Sequence, residues 1–276
     1  MFPFKLSLNA STLLPFKLDI TEQIRIAAAA GYEGIEIWVR DLDAYLENGG
    51  TLKELRDHIE QTGIQVVNAI AFWKWSDANE TERSQGFEQA KRELEQLAQI
   101  GCAAAAAPPF GNVDGVSLDD MASQFAKLTE LARDIGVEPL LEFWGRANQL
   151  SRLSDAVYVA MESGVADAKI LLDPFHMYTG GSKLSGLSYL NGDRIGMVHV
   201  NDYPETPSRE TIADKDRVFP GEGILPSNQF AQKLWDIGYR GYLSLELFIE
   251  DFQGKTALDV AKQGVTAIQK AYSIDG

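Results

Sequence analysis

The sequence has one cysteine, three histidines and only 25 basic residues against 40 acidic ones. Each scarcity excludes something. A lone Cys102 cannot close a disulfide within the chain, and its place just before the alanines at 103 to 107 makes it a small buried hydrophobe. The shortage of cations leaves a formal net charge of −15. That charge repels a phosphate backbone unless basic residues cluster, and none do, so no nucleic-acid partner is expected. No run of about 18 or more apolar residues exists, so no membrane-spanning helix is expected. The opening stretch, Met1 to Lys5, has neither a basic segment leading a long apolar core nor a small-residue cleavage site. No signal peptide is expected, and a cytoplasmic location is the default.

What is present is a chain of 276 residues with 45% hydrophobic and 24% charged positions, the profile of a folded globular protein at the length of one barrel domain. Short apolar runs at 4–9, 34–38, 64–72 and 102–107, and four more that end at Glu142, Asp173, His199 and Glu246, read as strands. Helical spacing fills the intervals at 19–30, 51–62, 79–100, 118–135, 153–163, 184–190, 226–237 and 256–271, and a glycine follows most of these stretches. The alanine run at 103–107 favours helix by propensity, but it is too short for one and Pro108 and Pro109 end it. Near-continuous apolar strands alternating with amphipathic helices imply a parallel sheet buried on both faces. Eight such pairs predict an α/β fold, a single (βα)8 TIM barrel spanning 1–276. A doubly wound open sheet is disfavoured because no Gly-x-Gly-x-x-Gly stretch follows the first strand.

Glu142, Asp173, His199 and Glu246 stand out because each closes a run too apolar to sit in water. A lone carboxylate there costs several kcal/mol unless it is paired or bound to a cation. For any one of them a salt bridge or a helix cap is explanation enough. All four at the ends of consecutive strands, which share one rim in a barrel, point instead to one divalent ion. Oxygen-rich donors with one imidazole suit Mn²⁺ first and Zn²⁺ second, with Mg²⁺ and Co²⁺ also compatible. Trp38, Phe72, Trp73, Trp75, Phe110, Trp144 and Phe175 fall at or just past strand ends, where about half are expected to offer ring faces to a sugar and the rest to pack in the core. Glu36 and Asn68, inside the second and third strands, either reach substrate hydroxyls or satisfy one another's kind within the barrel. His58, mid-helix in a polar stretch, reads as a solvated surface residue.

Five short motifs occur in an order that resembles the xylose-isomerase-like TIM-barrel superfamily of sugar and sugar-phosphate isomerases and epimerases. They are Leu141 with Glu142, Leu172 to His176, His199 to Asp202, Arg217 to Gly223, and Ser244 to Glu246. They cover the second half of the chain; the first half matches only in rhythm, through Gly31 to Glu36. The resemblance implies that Glu142, Asp173, His199 and Glu246 bind the ion and that the two glutamates also move protons. It further implies that His176 contacts a substrate oxygen and that Arg217 holds a substrate hydroxyl or carboxylate; the alternatives are a hydrogen bond within the protein for His176 and, for Arg217, a loop-closing salt bridge with Asp214, Asp216 or Glu222. Trp38, Trp144 and Asn68 complete the expected substrate contacts.

The activity so implied is isomerisation or epimerisation of a small keto-sugar or polyol-derived ketone. A proton leaves the carbon next to a metal-bound carbonyl, giving an enediolate. A dehydratase of the inosose or 3-dehydroshikimate type, or a non-catalytic sugar-binding barrel, is the alternative. An apurinic-site endonuclease needs a histidine-rich three-metal cluster, for which only His176 and His199 are placed. No glycine-rich phosphate cradle is evident, which favours an unphosphorylated substrate. The long loops at 73–81 and 203–223 suit either lids or contacts between copies of the chain, so homo-oligomerisation stays open.

Overall fold

The structure is a computed structural model that describes residues 1–274. Eight parallel strands close into a barrel in sequence order: β1 (Lys5–Asn9), β2 (Gly34–Trp38), β3 (Gln65–Ile70), β4 (Ala104–Ala107), β5 (Glu138–Glu142), β6 (Lys169–Leu172), β7 (Ile195–Val200) and β8 (Tyr242–Leu245). The seam is made by β1 and β8, with Ser7 opposite Ser244. Around the barrel run α1 (Ile20–Ala30), α2 (Val39–Glu47), α3 (Leu52–Thr62), α4 (Glu80–Gln99), α5 (Leu118–Ile135), α6 (Leu153–Glu162), α7 (Pro174–Gly180), α8 (Ser227–Asp236) and α9 (Ala257–Ala271). Among the described residues, no helix is long and apolar enough to cross a membrane.

Local chemistry starts and stops several of these helices where the sequence says it should. Asp19 accepts from the amides of Thr21 and Glu22 to open α1, and Gly31 ends it at φ 97°, a left-handed conformation that costs a residue with a Cβ. Thr51 and Glu54 form a reciprocal capping box on α3.

One helix was not anticipated, and two local expectations are corrected. The chain at 39–47 turns into α2 directly from β2 with no side-chain cap at Trp38, so no start signal marks it. The stretch at 184–190 forms a 3₁₀ turn, Leu184–Tyr189, and not a full helical segment. His58 is half-buried and not fully solvated: its Nε2 lies 3.1 Å from the carbonyl of Thr21, tying α3 to α1.

The strands sort their side chains into two apolar layers. Leu141, Leu172, Val198, Leu243 and Leu245 face the helices, while Leu140, Leu171 and Met197 fill the barrel interior. Because side chains alternate along a strand, two steps on from each interior residue comes the next inward one. From Leu140, Leu171, Met197 and Ser244 those steps lead to Glu142, Asp173, His199 and Glu246. The alternation that packs the barrel also aims all four at its open, carboxyl end. Cys102 is buried behind β4, and burial pushes its thiol up to about 12, so it is unreactive at neutral pH.

Candidate metal centre and active site

Asp173, His199 and Glu246 converge. One ligand atom from each lies within 4.8 Å of the others, the one such group of three or more His, Cys, Asp or Glu among the described residues. His199 Nδ1 is buried with no hydrogen-bond partner. It sits 3.2 Å from Glu246 Oε2 and 3.9 Å from Asp173 Oδ2. A buried imidazole nitrogen with nothing to bond, facing two carboxylates, is what a divalent cation requires, so these residues fit a bound ion. Glu142, expected as a fourth ligand, is not within that distance of all three.

A layer of buried polar residues beneath sets this arrangement. His199 Nε2 is 3.0 Å from Glu36 Oε2, which also accepts from Asn68 Nδ2 at 2.7 Å. Asn9 donates to Glu246 Oε1 at 3.1 Å and to Glu36 Oε1 at 3.4 Å, and its Oδ1 accepts from Trp38 Nε1. Glu36 therefore holds the imidazole by Nε2–H and leaves Nδ1 for the ion, the carboxylate–histidine–metal relay. Asp173 divides its oxygens likewise: Oδ1 accepts from the Phe175 amide, capping α7, and from Asn201, while Oδ2 faces the site. Asn68, expected at the substrate, is fully buried against Glu36 and does not line the cavity.

Arg217 makes the loop salt bridge with Asp214 that was the alternative for it, and two further ones that were not expected. It is 1% exposed and its Nη1 bridges Asp173 Oδ2 at 2.8 Å and Glu246 Oε2 at 2.5 Å, while Nε and Nη2 grip Asp214. Its guanidinium lies against Phe175, 4.4 Å from the ring centre. The loop that carries it is tied down. Asp202 and Val218 exchange backbone hydrogen bonds at 2.9 Å, and the Asp202 carboxylate accepts from the amides of Tyr203, Gly221 and Leu225.

The charges act on one another strongly. Burial lifts the Glu142 carboxyl to about 8, helped by Glu246 and Asp173 and opposed by His199 and Arg217. Burial also disfavours an ionised Asp173, but Arg217 and the two imidazoles outweigh it and hold that carboxyl well below its ordinary value. For His199, burial opposes the charge and loses to Glu246 and Glu36, so its pKa is raised. For His176, burial wins over Asp173, and the ring stays neutral near pH 7. His176 Nε2 is 3.9 Å from Glu142 Oε1, and its Nδ1 is buried without a partner.

Above this cluster opens a cavity of about 860 Å³, reached by Glu142, His176, Arg217 and Glu246. Trp38, Phe72, Phe110, Trp144 and Phe175 line it, while Trp73 and Trp75 are fully buried elsewhere, Trp73 on Glu93 and Trp75 on the carbonyl of Pro108. Phe248 also lines it and had no distinguishing signal in the sequence beyond its place two residues after Glu246.

A barrel with this rim belongs to a known class: the chain is a member of the xylose isomerase-like TIM-barrel family, whose model matches residues 24–271. Among individual relatives, it is 24% identical to an inosose isomerase of Bacillus velezensis, over 97% of this chain and 98% of that protein. It is 25% identical to a 3-dehydroshikimate dehydratase of Pseudomonas aeruginosa, over 90% of this chain but 39% of that protein. A solved structure of the IolI protein with a bound zinc atom superposes with a TM-score of 0.90 at 22% identity, covering 98% of both chains.

Proposed function

We propose that residues 1–276 form one catalytic barrel domain that isomerises or epimerises a small keto-sugar or polyol-derived ketone with a divalent ion held by Asp173, His199 and Glu246. The observation that carries this reading is the unpartnered, fully buried His199 Nδ1 facing Asp173 and Glu246, the last of which lines a cavity together with Glu142. The inosose isomerase and the dehydratase among its relatives, and the zinc in a similar fold, are in line with it. The predominance of oxygen donors keeps Mn²⁺ the first choice and Zn²⁺ the second.

A bound ion would polarise a carbonyl and its neighbouring hydroxyl, stabilising negative charge as a proton leaves the adjacent carbon. The protein's own groups do the rest. Glu142, with a carboxyl near 8 before any ion binds, is poised to take and return a proton around neutrality. Glu246, three strands away around the rim, has one oxygen toward His199 and the other on Asn9, and supplies the partner group on the far side of the substrate. Neutral His176 lines the cavity and offers its Nε2 to a substrate hydroxyl, and the aromatic walls exclude water. Proton return to the same carbon gives epimerisation, and return to its neighbour gives isomerisation.

Elimination is the second reading, favoured by the similarity to a dehydratase over most of this chain. The same proton abstraction followed by loss of a hydroxyl one carbon further gives water and an unsaturated ketone. Incubation of keto-sugars, inososes and 3-dehydroshikimate with Mn²⁺-loaded protein in D₂O, followed by proton NMR, separates the readings. Deuterium at the carbon beside the carbonyl without water loss supports isomerase chemistry, and an alkene product supports dehydration. Neither change with any substrate, while the protein holds its ion, would leave a non-catalytic sugar-binding barrel.

A further inference from the structure

The cation at the heart of the cavity has its edges already taken. A guanidinium holds a ligand carboxylate best through two parallel N–H groups. In Arg217 the edge formed by Nε and Nη2 is spent on Asp214 Oδ1, at 3.1 and 2.5 Å, and Nη1 donates to both Asp173 Oδ2 and Glu246 Oε2. Two rings pack on the group as well, Phe175 and Phe248, with centres 4.4 and 5.1 Å from Cζ.

Asp173 and Glu246 belong to the metal floor, which accounts for their share of this arginine. Asp214 has no such place. It comes from the loop at the mouth, its side chain is 54% exposed, and it lines the cavity. Its position is nonetheless fixed. It opens the 3₁₀ turn Asp214–Asp216, in which Asp216 accepts from the Ala213 amide at 2.9 Å. Two residues earlier, Ile212 is buried in a cluster with Phe175 and Tyr203, and Arg146 donates to the carbonyls of Arg209, Glu210 and Ile212 at 2.6, 3.1 and 2.8 Å. Arg146 is the other guanidinium that lines the cavity, and these bonds turn it toward the backbone of the loop.

Resting on the reading of the floor as a keto-polyol site, we infer that Asp214 is a specificity-determining residue: it occupies the guanidinium edge that a ligand carboxylate needs, so the site takes uncharged polyol ketones and turns away those that carry a carboxylate on the ring. An anionic ligand either displaces Asp214 from Arg217 or sits unpaired among Asp214, Glu246 and Asp114, all of which line the cavity. Both outcomes cost it affinity that an uncharged ligand keeps. Removing the Asp214 carboxylate opens a carboxylate subsite on Arg217.

Shikimate and methyl shikimate share a ring and its hydroxyls, differ in the carboxylate, and have no ketone to turn over, so together they read charge alone. Each is titrated calorimetrically into desalted, Mn²⁺-loaded protein. The wild type is expected to bind the ester about tenfold or more tightly than the acid, and Asp214→Ala to bind the acid about tenfold or more tightly than the wild type does. Asp214→Asn keeps the side-chain shape and one acceptor oxygen, guards against a loosened loop, and is expected to show part of that gain. A loop that merely loosens weakens both ligands alike and leaves their ratio unchanged. Acid and ester within about twofold of each other in the wild type, no gain for the acid in either variant, or equal changes for both ligands would overturn the inference. Deuterium exchange into keto-sugars and inososes is followed in the same preparations. Its absence with the ester preference intact sinks the proton-transfer reading and leaves the role of Asp214 standing, and exchange without any ester preference does the reverse.

Discussion

Replacing Glu142 by glutamine in metal-free protein should stabilise it, and increasingly so as pH rises. The folded carboxyl keeps its proton up to about 8, whereas an ordinary one loses it near 4.5. Between those values folding takes up a proton, so the wild type loses stability as pH rises through the window. Each step of one pH unit across it is worth about 1.4 kcal/mol, which gives an upper bound of about 5 kcal/mol. Glutamine fills the same space, cannot ionise, and escapes the penalty. Urea denaturation of both proteins in EDTA, from about pH 5 to about pH 8, reads the difference directly. The gap between variant and wild type should be small at the acid end and widen by a few kcal/mol. A gap that stays constant across the range would refute the claim that burial beside Asp173 and Glu246 perturbs this carboxyl.

Two further outcomes follow from the same cluster. Glu36→Gln should weaken metal affinity by about 10- to 100-fold, read by competition with a chelating dye, because the imidazole loses the anion that orients it; unchanged affinity would show that Glu36 is only interior packing. Arg217→Met leaves Asp173 and Glu246 facing each other in the ion-free protein, which should cost about 3–5 kcal/mol. Saturating Mn²⁺ should restore most of that stability in a thermal melt, and a loss that Mn²⁺ leaves untouched would mean the arginine serves the loop alone.

The barrel was legible because its strands are long enough and apolar enough to declare themselves, and because glycines such as Gly31 and Gly136 close helices that have clear periods. Glu142, Asp173, His199 and Glu246 showed through for a related reason: a polar group at the end of such a strand has no cheap place to go. Glu36 carries a similar signal inside β2, but its meaning lies in His199, 163 positions away, and no local pattern encodes that pairing. Arg217 was marked by its motif, but its partners were not: it sits in a polar loop, and nothing local in the sequence encodes its place between Asp173 and Glu246. Helix α7 was hidden because seven residues show no period, although Asp173 followed by Pro174 is a cap and first-turn pair that could have revealed it.

The account stands or falls on the nitrogen left free at His199. Titrating Mn²⁺ into EDTA-stripped, desalted protein by calorimetry should give one equivalent bound for the wild type and none at the same concentrations for a folded His199→Ala variant. Equal stoichiometry and affinity in the two proteins would contradict it.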